Sequence, residues 1–111
     1  MQIDLVQEGN VTVVVPIGRI DSNTAAELER VCDEQIAAGR RKILLDLAGI
    51  DYVSSAGLRV FLVVGKKLQR EGGRVALCCL TPMVSEVLAI AGFDRILTTA
   101  GNRGEGLAKL I

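Results

Sequence analysis

Two adjacent hydroxyls, Ser54 and Ser55, lie in the run Asp51–Arg59, DYVSSAGLR, between an apolar strand and the most apolar helix of the chain. With Ala56 and Gly57 they make a row of small residues that leaves the backbone nearly bare where the helix should begin. Serine is a preferred cap at such a place, because its oxygen accepts one of the first-turn N–H groups that have no helical partner. The same N–H groups, aligned with the helix dipole, make a favourable seat for an anion. Local physics leaves two uses open: an ordinary capped helix with small residues for close packing, or an anion-tolerant helix start that receives a partner.

Other chemistries find little support. The chain has no His, which removes Ser-His triads, His-ligated zinc and imidazole acid–base catalysis. Lys66 and Lys67 stand about three turns down the same helix, roughly 16 Å from Ser55, too far to activate it. Asp21, Asp46 and Asp51 could gather around Mg²⁺, but turn capping is the commoner use of such carboxylates. Gly72-Gly73 and the scattered glycines match no P-loop. The three Cys are odd in number and form no CxxC. Cys78 and Cys79, adjacent in a strand-like run, should point to opposite faces, and Cys32 falls on the apolar side of a helix. They read as buried reduced thiols, not as a metal or redox site. No catalytic residue, metal or cofactor is implied, and the expectation is that the chain is not an enzyme.

Thirteen basic residues balance thirteen acidic ones, so no broad surface attracts nucleic acid. No apolar run reaches the length of a membrane span, and MQIDLVQEG lacks a signal-peptide layout. The expected location is cytoplasmic. The 111 residues suit one domain over 1–111, able to bury about two-thirds of its unfolded surface. Half the residues are hydrophobic and only 3% aromatic, so the core must be aliphatic.

The elements that position the serines follow from pattern. Ile3–Val6 and Val11–Val15 flank Glu8-Gly9-Asn10 and read as a hairpin, with Pro16 ending the second strand or lying at its edge. A helix follows, with Thr24 and Glu27 as a capping box or Asp21 or Ser22 as the cap. Leu28, Val31, Cys32 and Ile36 form its buried stripe and Gly39 its terminator. Lys42–Leu47 reads as a central strand covered on both faces. The helix from about Ser55 to Arg70 is apolar nearly all round in its first half, so neighbouring helices or another protein must cover it. Arg74–Leu80 is the next strand, and Thr81-Pro82 opens a helix that ends at Gly92. Ile96 and Leu97 give a short last strand, and Arg103–Leu110 a final helix weakened by Gly104 and Gly106. The fold class is α/β, a mixed sheet with an N-terminal hairpin and interleaved helices. Its crossovers should be right-handed. Ligands of such sheets collect at the carboxyl ends of the parallel strands. That places Gly18–Asn23, Ala48–Gly57 and Leu80–Pro82 on one rim, with Asp21 near Ser55.

Asp51–Leu58, the preceding Ile43–Leu47 and the earlier Gly18–Asp21 resemble the signature of the STAS domain, and more narrowly that of the bacterial anti-sigma factor antagonists. The resemblance spans essentially the whole chain. It implies a protein that, unmodified, binds an anti-sigma factor that is also a serine kinase, and so frees a sigma factor. In that family a Ser at the start of this helix is phosphorylated, within an Asp-Ser-Ser/Thr-Gly-Leu pattern. Laid on this chain, the pattern makes Ser55 the acceptor, with Ser54 the second choice. Ser54 stands where the family has Asp, and Ala56 where it has a second hydroxyl. The implied partner surface is Asp21, Ser54, Ser55, Ala56, Gly57 and Arg59, and Asp21→Ala should weaken the complex with little loss of thermal stability. A phosphoserine phosphatase would reset the switch. A weak homodimer through the apolar helix stays open. So does a second client class, in which a STAS module serves a stress-signalling assembly or a lipid-transport ATPase complex.

Overall fold

The computed structural model describes residues 1–111. Strand β1 (Gln2–Glu8) turns at Gly9-Asn10 into β2 (Val11–Ile20), followed by α1 (Ala25–Ala37), β3 (Lys42–Asp46), β4 (Ile50–Val53) and α2 (Ser55–Arg70). Then come β5 (Arg74–Cys78), α3 (Pro82–Ile90), a 3₁₀ turn at Phe93–Arg95, β6 (Thr98–Ala100) and α4 (Arg103–Leu110). The sheet runs β1-β2-β3-β5-β6, with β1 antiparallel to β2 and the other neighbours parallel. The hairpin forms because Gly9 adopts a positive φ of 62°, which only glycine enters without strain. No helix is long and apolar enough to cross a membrane.

Period-2 alternation divides the central strands between two cores. Ile43, Leu45, Val75 and Leu77 face the larger core of 20 buried residues, with Leu28 and Cys32 of α1, Phe61, Val64 and Leu68 of α2, and Leu88 of α3. Leu44, Ala76 and Cys78 face a smaller core of seven, closed by Leu110 of α4. This is why β3 reads as an unbroken apolar run: both of its faces are covered. The apolar breadth of α2 is likewise used within the chain, since α1 lies beside it and Val60 is buried with Ala25 and Leu28.

Five local expectations are corrected. First, β2 does not stop at Pro16 but continues to Ile20. Its pairing with β3 ends at Val14 and its pairing with β4 begins at Gly18, so Pro16 sits where the ladder is already interrupted and its missing N–H is tolerated. Second, Ile50–Val53 is a strand, not part of a long loop, and it pairs parallel with the far end of β2. Third, the last strand is Thr98–Ala100; Leu97 is buried in the larger core and Ile96 is exposed just before it. Fourth, Thr24 makes no cap bond with its side chain. Its hydroxyl donates to the Arg19 carbonyl at 2.8 Å and accepts the Asp21 N–H at 2.9 Å instead. Fifth, Cys78 and Cys79 do not face opposite ways: Cys79 takes a left-handed φ of 60° and its sulfur lies 3.4 Å from that of Cys78.

Candidate functional site

The serine pair sits where β2 and β4 end side by side. Ile20 and Val53 are in register, and the Ser54 N–H donates to the Ile20 carbonyl at 2.8 Å. Asp21 and Ser54, the residues that follow this pair, therefore leave neighbouring strand ends. The third loop meets β4 at its start and not at this rim: the Thr81 hydroxyl donates to the Ile50 carbonyl at 3.1 Å, three residues before Val53.

Ser54 is the cap of α2. Its backbone is extended (ψ 174°) and its Oγ accepts the Gly57 N–H at 3.4 Å, which satisfies one first-turn donor. Ser55 is the first helical residue, exposed, with a hydroxyl that makes no hydrogen bond within the chain. Gly57 is buried because a Cβ there would lie 2.6 Å from Ile20 Cγ2 and 2.8 Å from Val53 Cγ1. The small residue thus lets the helix start press onto the strand ends. Ala56 and Arg59 line a shallow groove of about 490 Å³ between α1 and α2, floored by Ala25, Val60 and Val63. Arg59 is exposed.

Asp21 is more tightly held than a free docking residue. Its Oδ1 accepts the Asn23 N–H (2.9 Å) and the Thr24 N–H (3.1 Å), and the Thr24 hydroxyl, whose proton goes chiefly to the Arg19 carbonyl, lies 3.3 Å away. Its Oδ2 pairs with Arg19 Nε at 3.2 Å. The Asn23 N–H foremost, then Thr24 and Arg19, hold the carboxyl below the usual carboxylate range against a smaller desolvation cost. Arg19 also lies over Tyr52, 4.7 Å from the ring centroid, a cation–π contact. Arg19 joins the rim without having been singled out in the sequence, and Tyr52, a residue that could have anchored the turn to the core, is exposed instead; the two face each other through the β2–β4 pairing, which the four-residue β4 concealed.

The alternative chemistries do not assemble. Lys67 is drawn to α1, with Nζ 2.9 Å from Asp33 and 3.4 Å from Glu29, and the Asp33 hydrogen bond chiefly raises its pKa, so it is no base for Ser55. Asp46 lies buried in an ion pair with Arg103 of α4 (2.8 Å), and Asp51 is exposed on β4. Asp21, Asp46 and Asp51 thus form no common cation site. Burial pushes the Cys32 thiol up to about 12, leaving it inert.

The model of the STAS domain matches residues 2–106. The chain belongs to the STAS domain family. This STAS domain is 44% identical over 86 residues to BtrV of Bordetella bronchiseptica, which carries the name of an anti-sigma factor antagonist; the match covers 78% of this chain and 74% of BtrV. It is 28% identical over 111 residues to the anti-sigma F factor antagonist of Paenibacillus polymyxa, covering 99% and 95% of the two chains. Its fold is similar to the crystal structure of a Thermotoga maritima protein named as an anti-sigma factor antagonist. That overlay has a TM-score of 0.91 at 24% identity and covers 97% and 93% of the chains. The relatives of this STAS domain are thus named as regulators.

Proposed function

We propose that this STAS domain is an anti-sigma factor antagonist whose unmodified form binds an anti-sigma serine kinase and frees the sigma factor, and that phosphorylation of Ser55 ends the binding. One observation carries the reading. Ser55 offers an exposed, uncommitted hydroxyl at the first position of α2, while its neighbour Ser54 is engaged as the cap. The names of the relatives support the antagonist role, and the groove beside Ala56 and Arg59 supplies a surface for a partner.

The energetics of such a switch are favourable. A phosphate brings about −1.5 to −2 charge and strong acceptor oxygens. At a helix start the dipole favours it by about 0.3–1 kcal/mol, so the fold is not harmed. In a docked interface the same group meets desolvation and like-charge repulsion of several kcal/mol, and each 1.4 kcal/mol is about tenfold in affinity. The modified protein therefore leaves its partner while staying folded. Removal of the phosphate by a phosphoserine phosphatase restores it.

Intact-mass measurement after incubation with the cognate kinase and ATP tests the assignment. Wild type and Ser54→Ala should gain one phosphate and Ser55→Ala none. Equal kinase affinity for the phosphorylated and unmodified proteins would overturn the switch.

A further inference from the structure

On the face of the sheet that α4 covers, the end of β5 carries a cluster that the switch does not use. Cys79 is the one non-glycine residue with positive φ, a conformation that an L-residue with a Cβ adopts only under strain. That kink brings its Sγ to 3.4 Å from Cys78 Sγ. Asp46, at the end of neighbouring β3, is in register with Cys78. Ligand atoms of Asp46, Cys78 and Cys79 all lie within 4.8 Å of one another, the first two residues buried and the third half-buried. Arg103 grips Asp46 Oδ2 through Nε at 3.0 Å and a second guanidinium nitrogen at 2.8 Å. The other oxygen, Oδ1, accepts only the Ala48 N–H at 3.1 Å and keeps a lone pair.

We propose that Asp46, Cys78 and Cys79 form a three-ligand site for one soft divalent cation of the zinc class, with water as the fourth ligand. Tetrahedral zinc with Zn–S bonds of about 2.3 Å holds two sulfurs about 3.8 Å apart, so the thiols need separate by only a few tenths of an ångström. Two sulfur ligands select a soft ion over Mg²⁺ or Ca²⁺, which take oxygen. Charge also closes. Two thiolates and a carboxylate carry three negative charges, and the cation with Arg103 supplies three positive ones. Coordination breaks two S–H bonds, releases both protons to solvent and forms two metal–sulfur bonds, with no change of oxidation state. A disulfide fits less well, because adjacent Cα atoms are about 3.8 Å apart, short of the separations that disulfides span.

The test titrates reduced, metal-free protein with Cd²⁺ and then with Zn²⁺ as competitor. Wild type should take up one Cd²⁺ per chain with a thiolate-to-cadmium charge-transfer band, and Zn²⁺ should displace it. Cys32→Ser should behave as wild type. Cys79→Ser, at the half-buried position, should lose the band and bind at least about 100-fold more weakly, a ligand mattering at least as much as the outer-shell groups whose loss costs 10–100-fold. Zn²⁺ should also raise the wild-type melting temperature with concentration, reversibly with chelator; this readout does not depend on how any variant folds. The site is overturned by the absence of a saturable one-to-one band in folded wild type, by undiminished binding in Cys79→Ser, or by a melting temperature indifferent to Zn²⁺. Loss of two hydrogens to a Cys78–Cys79 disulfide in place of metal uptake overturns it equally.

Discussion

Asp21 makes more contacts than a docking residue needs. Two backbone donors from the β2–α1 turn converge on one oxygen and Arg19 takes the other, so the carboxylate shapes the turn that brings α1 beside the rim. Asp21→Ala should therefore lower the melting temperature measurably, by less than a core substitution such as Phe61→Ala, as well as weaken partner binding. This revises the expectation that its loss would spare stability. Its pH signature has a definite sign. The folded carboxyl lies below its ordinary value, so its stabilisation is present above about pH 4 and is lost as the pH falls through the depressed folded value. In Asp21→Asn that part of the acid-side slope should vanish, as pH-dependent melting curves will show. Ser54 and Ser55 were legible in the sequence because small residues at a strand-to-helix passage announce themselves. The turn bonds of Asp21 were not, since nothing in GRIDSNT ranks Asp21 above Thr24 as the organiser.

At the scale of elements, α2 holds two glycines whose replacement should have opposite signs. Gly57 is pressed against Ile20 and Val53 at 2.6 and 2.8 Å from where a Cβ would stand, so Gly57→Ala should destabilise by about 1–3 kcal/mol through overpacking. A Cβ at Gly65 would meet Val75 Cγ1 at 3.4 Å and Leu97 Cδ2 at 4.0 Å, ordinary contacts, so Gly65→Ala should stabilise by about 0.5–1 kcal/mol through backbone entropy. Denaturant unfolding of the two variants checks both. Gly106 belongs with Gly57: it looked like a weakness of α4, yet a Cβ there would lie 2.6 Å from Leu44 Cδ1. Helices and long strands could be read from periodicity, and α1, α2, α3 and α4 lie within a residue or two of expectation. The short β4 could not, because four residues with only Ile50 and Val53 buried show neither alternation nor a long apolar run. Its partner is a strand end thirty residues away. The kink at Cys79 escaped for a related reason: no Gly or Asn marks a left-handed residue there, and the Cys pair passes for plain strand.

For the whole molecule, the two cores explain how a surface charge can act without disturbing the interior. Ser55 stands outside both, at the lip of the larger one, while β3 and β5 are buried on each face. Ser55→Asp should keep the melting temperature within about 2 °C of wild type and leave hydrogen-exchange protection of Ile43–Leu45 and Val75–Leu77 unchanged. The smaller core rests on one eight-residue helix tied down by the Arg103–Asp46 pair. Arg103→Ala strands a carboxylate whose side chain is only 7% exposed, and should bring α4 and β6 to exchange earlier than the rest of the sheet.

Tyr52 has a use beyond its contact with Arg19. The chain contains no Trp and one Tyr, so its tyrosine emission, excited beyond the absorption of Phe61 and Phe93, arises at a single ring, stacked beneath a guanidinium on the strand that ends at the serines. Tyrosine emission from the unlabelled protein therefore reports on that rim alone, so any event that moves Arg19 off the ring can be followed optically without attaching a dye.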